Sequence, residues 1–411
     1  MQGLLGIGVL LLSAWLISEN RKSVDLRYLS IGILVQLAVA FVFFQIPFIS
    51  DMLLYMNVVV ASIESATLEG SRFLFGYLGG GQEPFEVDNG SYLYLFAFRV
   101  LPNVVVFCVL IAVLWYWKIL PAVVKAFGLI LKKLLGVSGA VGTSAASTLF
   151  LGMVETPMII RAYLARLTRS EFFTVMTCGM STVAGSVMII YASTLSSIIP
   201  GAIGHIIIGS VINIIGAIYI SRIIVPEDGR PTDADSFDDL GYSSTMDAIT
   251  RGTQDGLKLV LNIAGMLLVI ISLVALINGL LGTFSYMGVP LSMQMILGWV
   301  FSPLAWLIGI PWNESQVAGN LMGSKIVLNE MIAYIELANL GDSLSETSQL
   351  ILLYALCGFA NFGSLGILIG GLSTLVPDRK IDYLSLAPKS LISGNIVTFV
   401  TAAIVGLVAR F

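Results

Sequence analysis

Two short stretches put a carboxylate where the surrounding sequence is apolar: GMVETP with Glu155, and KIVLNEMIAY with Glu330. An ionisable group at membrane depth costs about 3 kcal/mol on insertion scales and ordinarily faces a cavity or pathway. Downstream of Glu330, CGFANFGS adds the amide of Asn361 and the hydroxyl of Ser364. Carboxylate, amide and hydroxyl together suit a ligand rich in hydroxyl groups, because the first accepts, the second does both and the third does either. Each residue also has a plainer reading. Glu155 and Glu330 can tie down a hairpin by accepting backbone N–H bonds, and Asn361 and Ser364 can satisfy the freed backbone of a broken helix.

Other chemistry finds little support. His205 is the single histidine, and Cys108, Cys178 and Cys357 lie in apolar runs without paired spacing, so neither a metal set, a disulfide frame nor a nucleophile with its base is suggested. The expectation is a protein that is not an enzyme and has no cofactor. A net charge of −4 gives none of the basic stripe that nucleic acid requires. Ser, Thr and charge are too localised to line a continuous channel.

Composition names the solvent that must be positioned around these residues. The 411 residues are 57% hydrophobic and 11% charged, with a mean hydropathy of +0.94, far from the soluble range. The reading is an all-α polytopic membrane protein. Spans of about 20 apolar residues fall near 2–18, 31–50, 92–117, 171–198, 204–224, 256–280, 348–376 and 390–409, which makes eight transmembrane helices. The segments 119–135, 137–164, 285–310 and 311–338 are too interrupted or too amphipathic for ordinary spans.

All but four of the 21 Lys and Arg lie in SENRKSVDLR, WKILPAVVKAFGLILKK, RAYLARLTR, the 222–258 region and PDRKIDYLSLAPKS; the exceptions are Arg72, Arg99, Lys325 and Arg410. With the N-terminus outside a plasma (inner) membrane, all five segments are cytoplasmic and the 51–90 connection, with acidic QEPFEVDNG, is external. That arrangement requires 137–164 and 311–338 to be re-entrant hairpins of opposite orientation. The expected domains are N-terminal scaffold helices (1–118), a cytoplasmic interfacial helix (119–136), a first repeat (137–225), a flexible cytoplasmic linker (226–250) and a second, inverted repeat (251–411). Pro311, Asn313 and Glu314 of PWNES are expected to start, cap and orient the second hairpin. Lys325 stands near enough to Glu330 to pair with a carboxylate, though off the ideal helical face. His205 and Arg99 receive no role.

The repeat is visible in the residues. MTCGMSTVAGS aligns with ALCGFANFGSL through Cys178 and Cys357, and at nearly the same interval Glu155 aligns with Glu330. Inverted repeats with interrupted helices are how secondary transporters build a site near the bilayer midplane.

GMVETPMIIRAYLARLTRSEFFTVMTCGMSTVAGS, GIPWNESQVAGNLMGSKIVLNEMIAY and ALCGFANFGSLGILIGGL together resemble the concentrative nucleoside transporters, cation-coupled nucleoside symporters. The resemblance runs over roughly 100–411. It implies a homotrimer whose transport domain shifts a nucleoside site across the membrane in an elevator-like cycle. It further implies that Glu330, Asn361 and Ser364 bind ribose hydroxyls, that Glu155 belongs to the base-facing end, and that Val187 and Phe359 wall the base. Two departures stand out. The usual first-hairpin motif, Gly-Gln-Thr-Glu or Gly-Thr-Thr-Glu, is here Gly152-Met153-Val154-Glu155, so the base edge loses two hydrogen-bonding side chains. Where sodium-coupled members carry an asparagine and a serine beside backbone carbonyls, this chain has Thr148 and Thr182, with Leu151 and Val183 as the carbonyl candidates. Thr148 and Thr182 have a second reading as hydroxyls bonded to their own helices. Sodium is the favoured coupling ion, and proton coupling would make Glu155 or Glu330 the carrier. A carrier for another small ribose-containing metabolite is the runner-up function.

Overall fold

The computed structural model describes residues 2–45, 47–85, 95–196, 198–227, 229, 232, 240–286, 288–340 and 343–409. Much of the 226–250 linker and part of QEPFEVDNG lie outside them. The N-terminal part comprises α1 (Gln2–Leu16), α2 (Leu26–Gln45), α3 (Pro47–Phe75), α4 (Phe96–Arg99) and α5 (Leu101–Tyr116). The helix α3 corrects the reading of 51–90 as a plain connection. Its acidic residues suggest a loop, but no Gly or Pro interrupts the chain between Pro47 and Gly70, and nothing else there stops a helix. One of those acids, Glu64, accepts a hydrogen bond from Ser193.

The basic segment 119–135 forms α6 (Ile119–Leu135), with Leu120, Val124, Leu131 and Leu135 buried and Lys125, Lys132 and Lys133 on the exposed side. That two-sidedness is what an interfacial helix requires. It supports the first hairpin, made of α7 (Gly139–Ser147), α8 (Glu155–Ile159) and α9 (Arg161–Leu164). The seat is backbone on backbone: a Cβ on Gly128 would lie 3.2 Å from the Gly142 carbonyl carbon.

Then come α10 (Arg169–Ser181), α11 (Gly185–Leu195), α12 (Ala202–Ile224) and the long α13 (Thr245–Leu281). Two short antiparallel strands, β1 (Ser285–Tyr286) and β2 (Val289–Pro290), lead into α14 (Met293–Leu307) and, across a 118° bend, α15 (Trp312–Val327). The second hairpin is α15 with α16 (Glu330–Leu340), followed by α17 (Glu346–Leu356), α18 (Phe362–Leu375) and α19 (Lys380–Val408). The repeat is explicit here. Glu155 opens α8 as Glu330 opens α16, and the interval between the starts of α10 and α17 equals that between the starts of α11 and α18.

The protein is an all-α polytopic membrane protein, but the count of eight is not reproduced by length and composition. Among the described residues five runs qualify: Leu26–Gln45, Phe96–Tyr116, Arg169–Leu195, Ala202–Ile224 and Pro377–Val408, or six if the bent α14–α15 pair counts as one. Reasons for the shortfall are local. The helix α1 has 15 residues, and the run 348–376 is cut in two at 357–361. The most apolar 18-residue window of the Arg169–Leu195 run is wholly buried, whereas Leu261, Leu268, Leu276 and Leu280 of α13 face outward. The core therefore sits at the broken helices, inside a ring of more exposed ones. Asn313 does not cap α15, which has no side-chain cap bond at its start. Glu314 instead accepts the Ser345 hydroxyl at 3.0 Å, tying the hairpin to the start of α17.

Three of the basic segments meet in one ion-pair cluster. Glu19, in the loop after α1, accepts from Arg169 at 3.0 and 2.8 Å and from Lys389 at 2.8 Å. Arg169 also pairs with Asp382 at 3.0 Å, and Arg379 donates to the Leu164 and Leu167 carbonyls. Arg169 above all, with help from Lys389, holds the Glu19 carboxyl at about 2, down from 4.5. Because the folded value is the depressed one, the stabilisation is complete above about 4.5 and lost as the pH falls through about 2. Partial exposure screens it to about 1 kcal/mol. Glu19→Gln is predicted to lower the detergent melting temperature at neutral pH, with the gap from wild type closing on strong acidification. Coincident melting curves at neutral pH would refute the role of this cluster.

Candidate functional site

Two interruptions define the site. Between α10 and α11 the helix breaks at Thr182–Ala184, and between α17 and α18 at Cys357–Asn361. The two breaks cross. The Phe359 N–H donates to the Thr182 carbonyl at 3.3 Å, and a Cβ on Gly358 would sit 2.9 Å from the Ser181 oxygen. Only glycine lets the strands approach so closely. Freed carbonyls are satisfied by buried amides: Asn213 of α12 donates to Ser181 and Cys357, both at 2.8 Å, and Asn395 of α19 donates to Ala360 at 2.9 Å.

Beside the crossing lies Glu330, 5% exposed. Its Oε1 accepts from the Tyr191 hydroxyl at 2.7 Å and its Oε2 from the Asn361 Nδ2 at 2.8 Å. Asn361 is also the N-cap of α18, its Oδ1 accepting the Ser364 N–H at 2.7 Å. Glu330, Asn361 and Ser364, expected together from sequence, are thus one hydrogen-bonded chain. Each carboxylate oxygen keeps acceptor capacity for an incoming hydroxyl.

Sequence reasoning missed Tyr191. An aromatic inside GSVMIIYAST reads as packing, and its ring does pack, 5.0 Å from that of Tyr334. The available signal was its hydroxyl, which a buried tyrosine must satisfy. Asn213 and Asn395 were missed too, although an amide in a buried membrane helix invites the same question. Lys325 does not form a direct ion pair with Glu330 among the described residues; its Nζ donates to the Ala355 carbonyl and the Thr398 hydroxyl, each at 2.8 Å. His205 lies 3.0 Å from the Tyr354 hydroxyl through Nδ1 and packs against Phe44.

The first hairpin is arranged differently. The Glu155 side chain curls back over its own turn, where a Cβ on Gly152 would meet Oε2. Met153 is buried against Gly179 of α10, and Val154 packs over Gly371 of α18. Both side chains seal the hairpin tip and neither offers a hydrogen bond. Val187 is buried on the first turns of α11, and Phe359 lies half-buried in the second break. Thr148 and Thr182 stand at the C-terminal ends of α7 and α10, buried along with Leu151 and Val183. Their hydroxyls donate to the Ala145 and Cys178 carbonyls at 2.7 and 2.8 Å. The self-bonded reading therefore holds, yet a hydroxyl that has given its proton away still presents lone pairs, and two C-terminal helix ends favour a cation.

Residues 5–78 match the description Na+ dependent nucleoside transporter N-terminus, residues 97–198 match Gate, nucleoside recognition, and residues 205–406 match Na+ dependent nucleoside transporter C-terminus. The nucleoside permease NupC of Helicobacter pylori is 36% identical over 98% of this chain and 96% of its own. The chain belongs to the concentrative nucleoside transporter family. It is 35% identical to the uncharacterized transporter YutK of Bacillus subtilis over 98% of both chains. Human solute carrier family 28 member 3 is 33% identical over 77% of this chain and 48% of its own. Among solved structures, CNTnw in an inward-facing substrate-bound state superposes with a TM-score of 0.91 at 36% identity, covering 99% of this chain and 98% of that one. A variant of CNTnw in an outward-facing state gives 0.92 at 35%, covering 100% and 97%. The family is one of nucleoside transporters, not enzymes.

Proposed function

We propose that the chain is a nucleoside symporter of the plasma (inner) membrane, N-terminus outside, that works as a homotrimer and moves its site across the bilayer in an elevator-like cycle. The observation that carries the reading is the Tyr191–Glu330–Asn361–Ser364 chain, a buried carboxylate with fixed donors and remaining acceptor capacity, which suits the vicinal hydroxyls of a ribose. The Glu155 end receives the base, with Val187 and Phe359 as apolar walls. Because Met153 and Val154 offer no hydrogen bond, base discrimination is weak. The coupling ion is sodium at Thr148 and Thr182 with the Leu151 and Val183 carbonyls, where two helix C-termini already draw a cation.

The test is uptake of labelled nucleosides by purified protein in liposomes, under separately imposed sodium and pH gradients. Accumulation driven by inward sodium is expected, with uridine and cytidine accepted within about a thousandfold of each other. Accumulation that persists without sodium and collapses with the pH gradient would move coupling to a proton on a hairpin glutamate. Uptake of a non-nucleoside ribose metabolite alone would favour the runner-up.

A further inference from the structure

Around α6 the residues sort by face. Leu120, Val124, Leu131 and Leu135 are buried against the protein. Helical spacing puts the exposed Ile119, Val123, Ile130 and Leu134 on one flank of that buried face and the exposed Lys125 and Lys132 on the other, with Lys133 opposite it. A helix lying flat in the interface, with protein along one side, meets acyl chains with its apolar flank and headgroups with its charged one. The charge is unbalanced in sequence, because no Asp or Glu occurs from residue 89 to residue 154. Lys125 and Lys133 make no ion pair among the described residues. Trp117, exposed just ahead of the helix, is a residue type that settles at headgroup level.

We propose that α6 is a docking site for anionic phospholipid, whose headgroup phosphates bind Lys125, Lys132 and Lys133 while its chains cover the apolar flank. That flank selects a lipid over a free phosphate, which would leave Ile130 and Leu134 in water. The bound lipid reaches the first hairpin through backbone. A Cβ on Gly142 of α7 would lie 2.8 Å from the Gly128 oxygen, so α7, whose C-terminal end carries Thr148, rests directly on α6. The end of α6 is pinned in turn by the Tyr28 hydroxyl, which donates to the Leu135 carbonyl at 2.7 Å. Lipid held along α6 thereby steadies the hairpin, whichever solute the protein carries.

The experiment titrates detergent-purified protein with phosphatidylglycerol and with phosphatidylcholine, reading bound lipid by native mass spectrometry and stability by melting temperature. It compares wild type, a variant combining Lys125→Gln, Lys132→Gln and Lys133→Gln, and one combining Lys125→Arg, Lys132→Arg and Lys133→Arg. Wild type should favour phosphatidylglycerol by about tenfold or more, with the preference falling as salt is raised. The glutamine variant should lose both that preference and the rise in melting temperature that accompanies it, and the arginine variant should keep both. Equal binding of the two lipids by wild type would overturn the proposal, whether or not the glutamine variant folds. So would a wild-type preference in the glutamine variant. Inorganic phosphate raising the melting temperature as much as phosphatidylglycerol would give the lysines to a free anion, and loss of the oligomer in the glutamine variant with lipid preference intact would give the face to a second copy; either result overturns the lipid assignment.

Discussion

Glu330→Gln is expected to abolish measurable nucleoside binding while the protein stays folded. The carboxylate now accepts from Tyr191 on one oxygen and Asn361 on the other. A glutamine keeps one acceptor and turns the other position into a donor, so its NH2 must face either the Tyr191 hydroxyl or the Asn361 amide. The first can rotate to accept; the second cannot, because the Asn361 atom facing it is Nδ2, itself a donor, held in that orientation by the cap of Oδ1 on the Ser364 N–H. The ribose hydroxyls lose charge-assisted partners worth about 1.5–3 kcal/mol each, and loss of two costs more than about a hundredfold in affinity. Calorimetry with uridine on protein that elutes and melts like wild type checks this. Wild-type affinity in the variant would remove Glu330 from the site.

Asn213→Leu should be the most damaging single substitution away from the substrate. Its Nδ2 spends both protons on the Ser181 and Cys357 carbonyls, one at each break, so a single side chain fastens the crossing. Leucine keeps the branched shape at Cγ while removing every polar atom of the side chain. Two buried carbonyls are left unpaired at about 1–3 kcal/mol each, and the crossing that presents Asn361 loosens. A lowered melting temperature together with weakened uridine binding is predicted. Melting and affinity both unchanged would mean that the breaks are held by packing alone.

Much of this was legible in the residues because polar groups in an apolar chain are conspicuous. Glu330, Asn361 and Ser364 could be grouped from type and order, and the alignment of Cys178 with Cys357 exposed the repeat. Three of the segments grouped by their basic residues do meet, around Glu19, Arg169 and Lys389. What stayed hidden depended on direction. Nothing in the sequence says that Tyr191 turns its hydroxyl toward Glu330, or that Asn213 reaches two breaks at once. The partners of Lys325 stayed hidden for the same reason. Nearness in the chain left Glu330 as a partner in reach, while the fold brings Ala355 and Thr398 from two other helices. The helix α3 was obscured by its acids, because a charge count reads them as solvated loop. Met153 and Val154 were read through the base that the family resemblance sets against them, and the fold also gives them Gly179 and Gly371 to pack against.

The central claim is that this transporter recognises its substrate through the sugar at Glu330. The measurement that tests it most directly is calorimetric titration of the wild-type protein with uridine, 2′,3′-dideoxyuridine and uracil. The account predicts saturable binding of uridine, a loss of at least about a hundredfold on removing the two hydroxyls, and no measurable binding of the free base. Dideoxyuridine binding as tightly as uridine would contradict it.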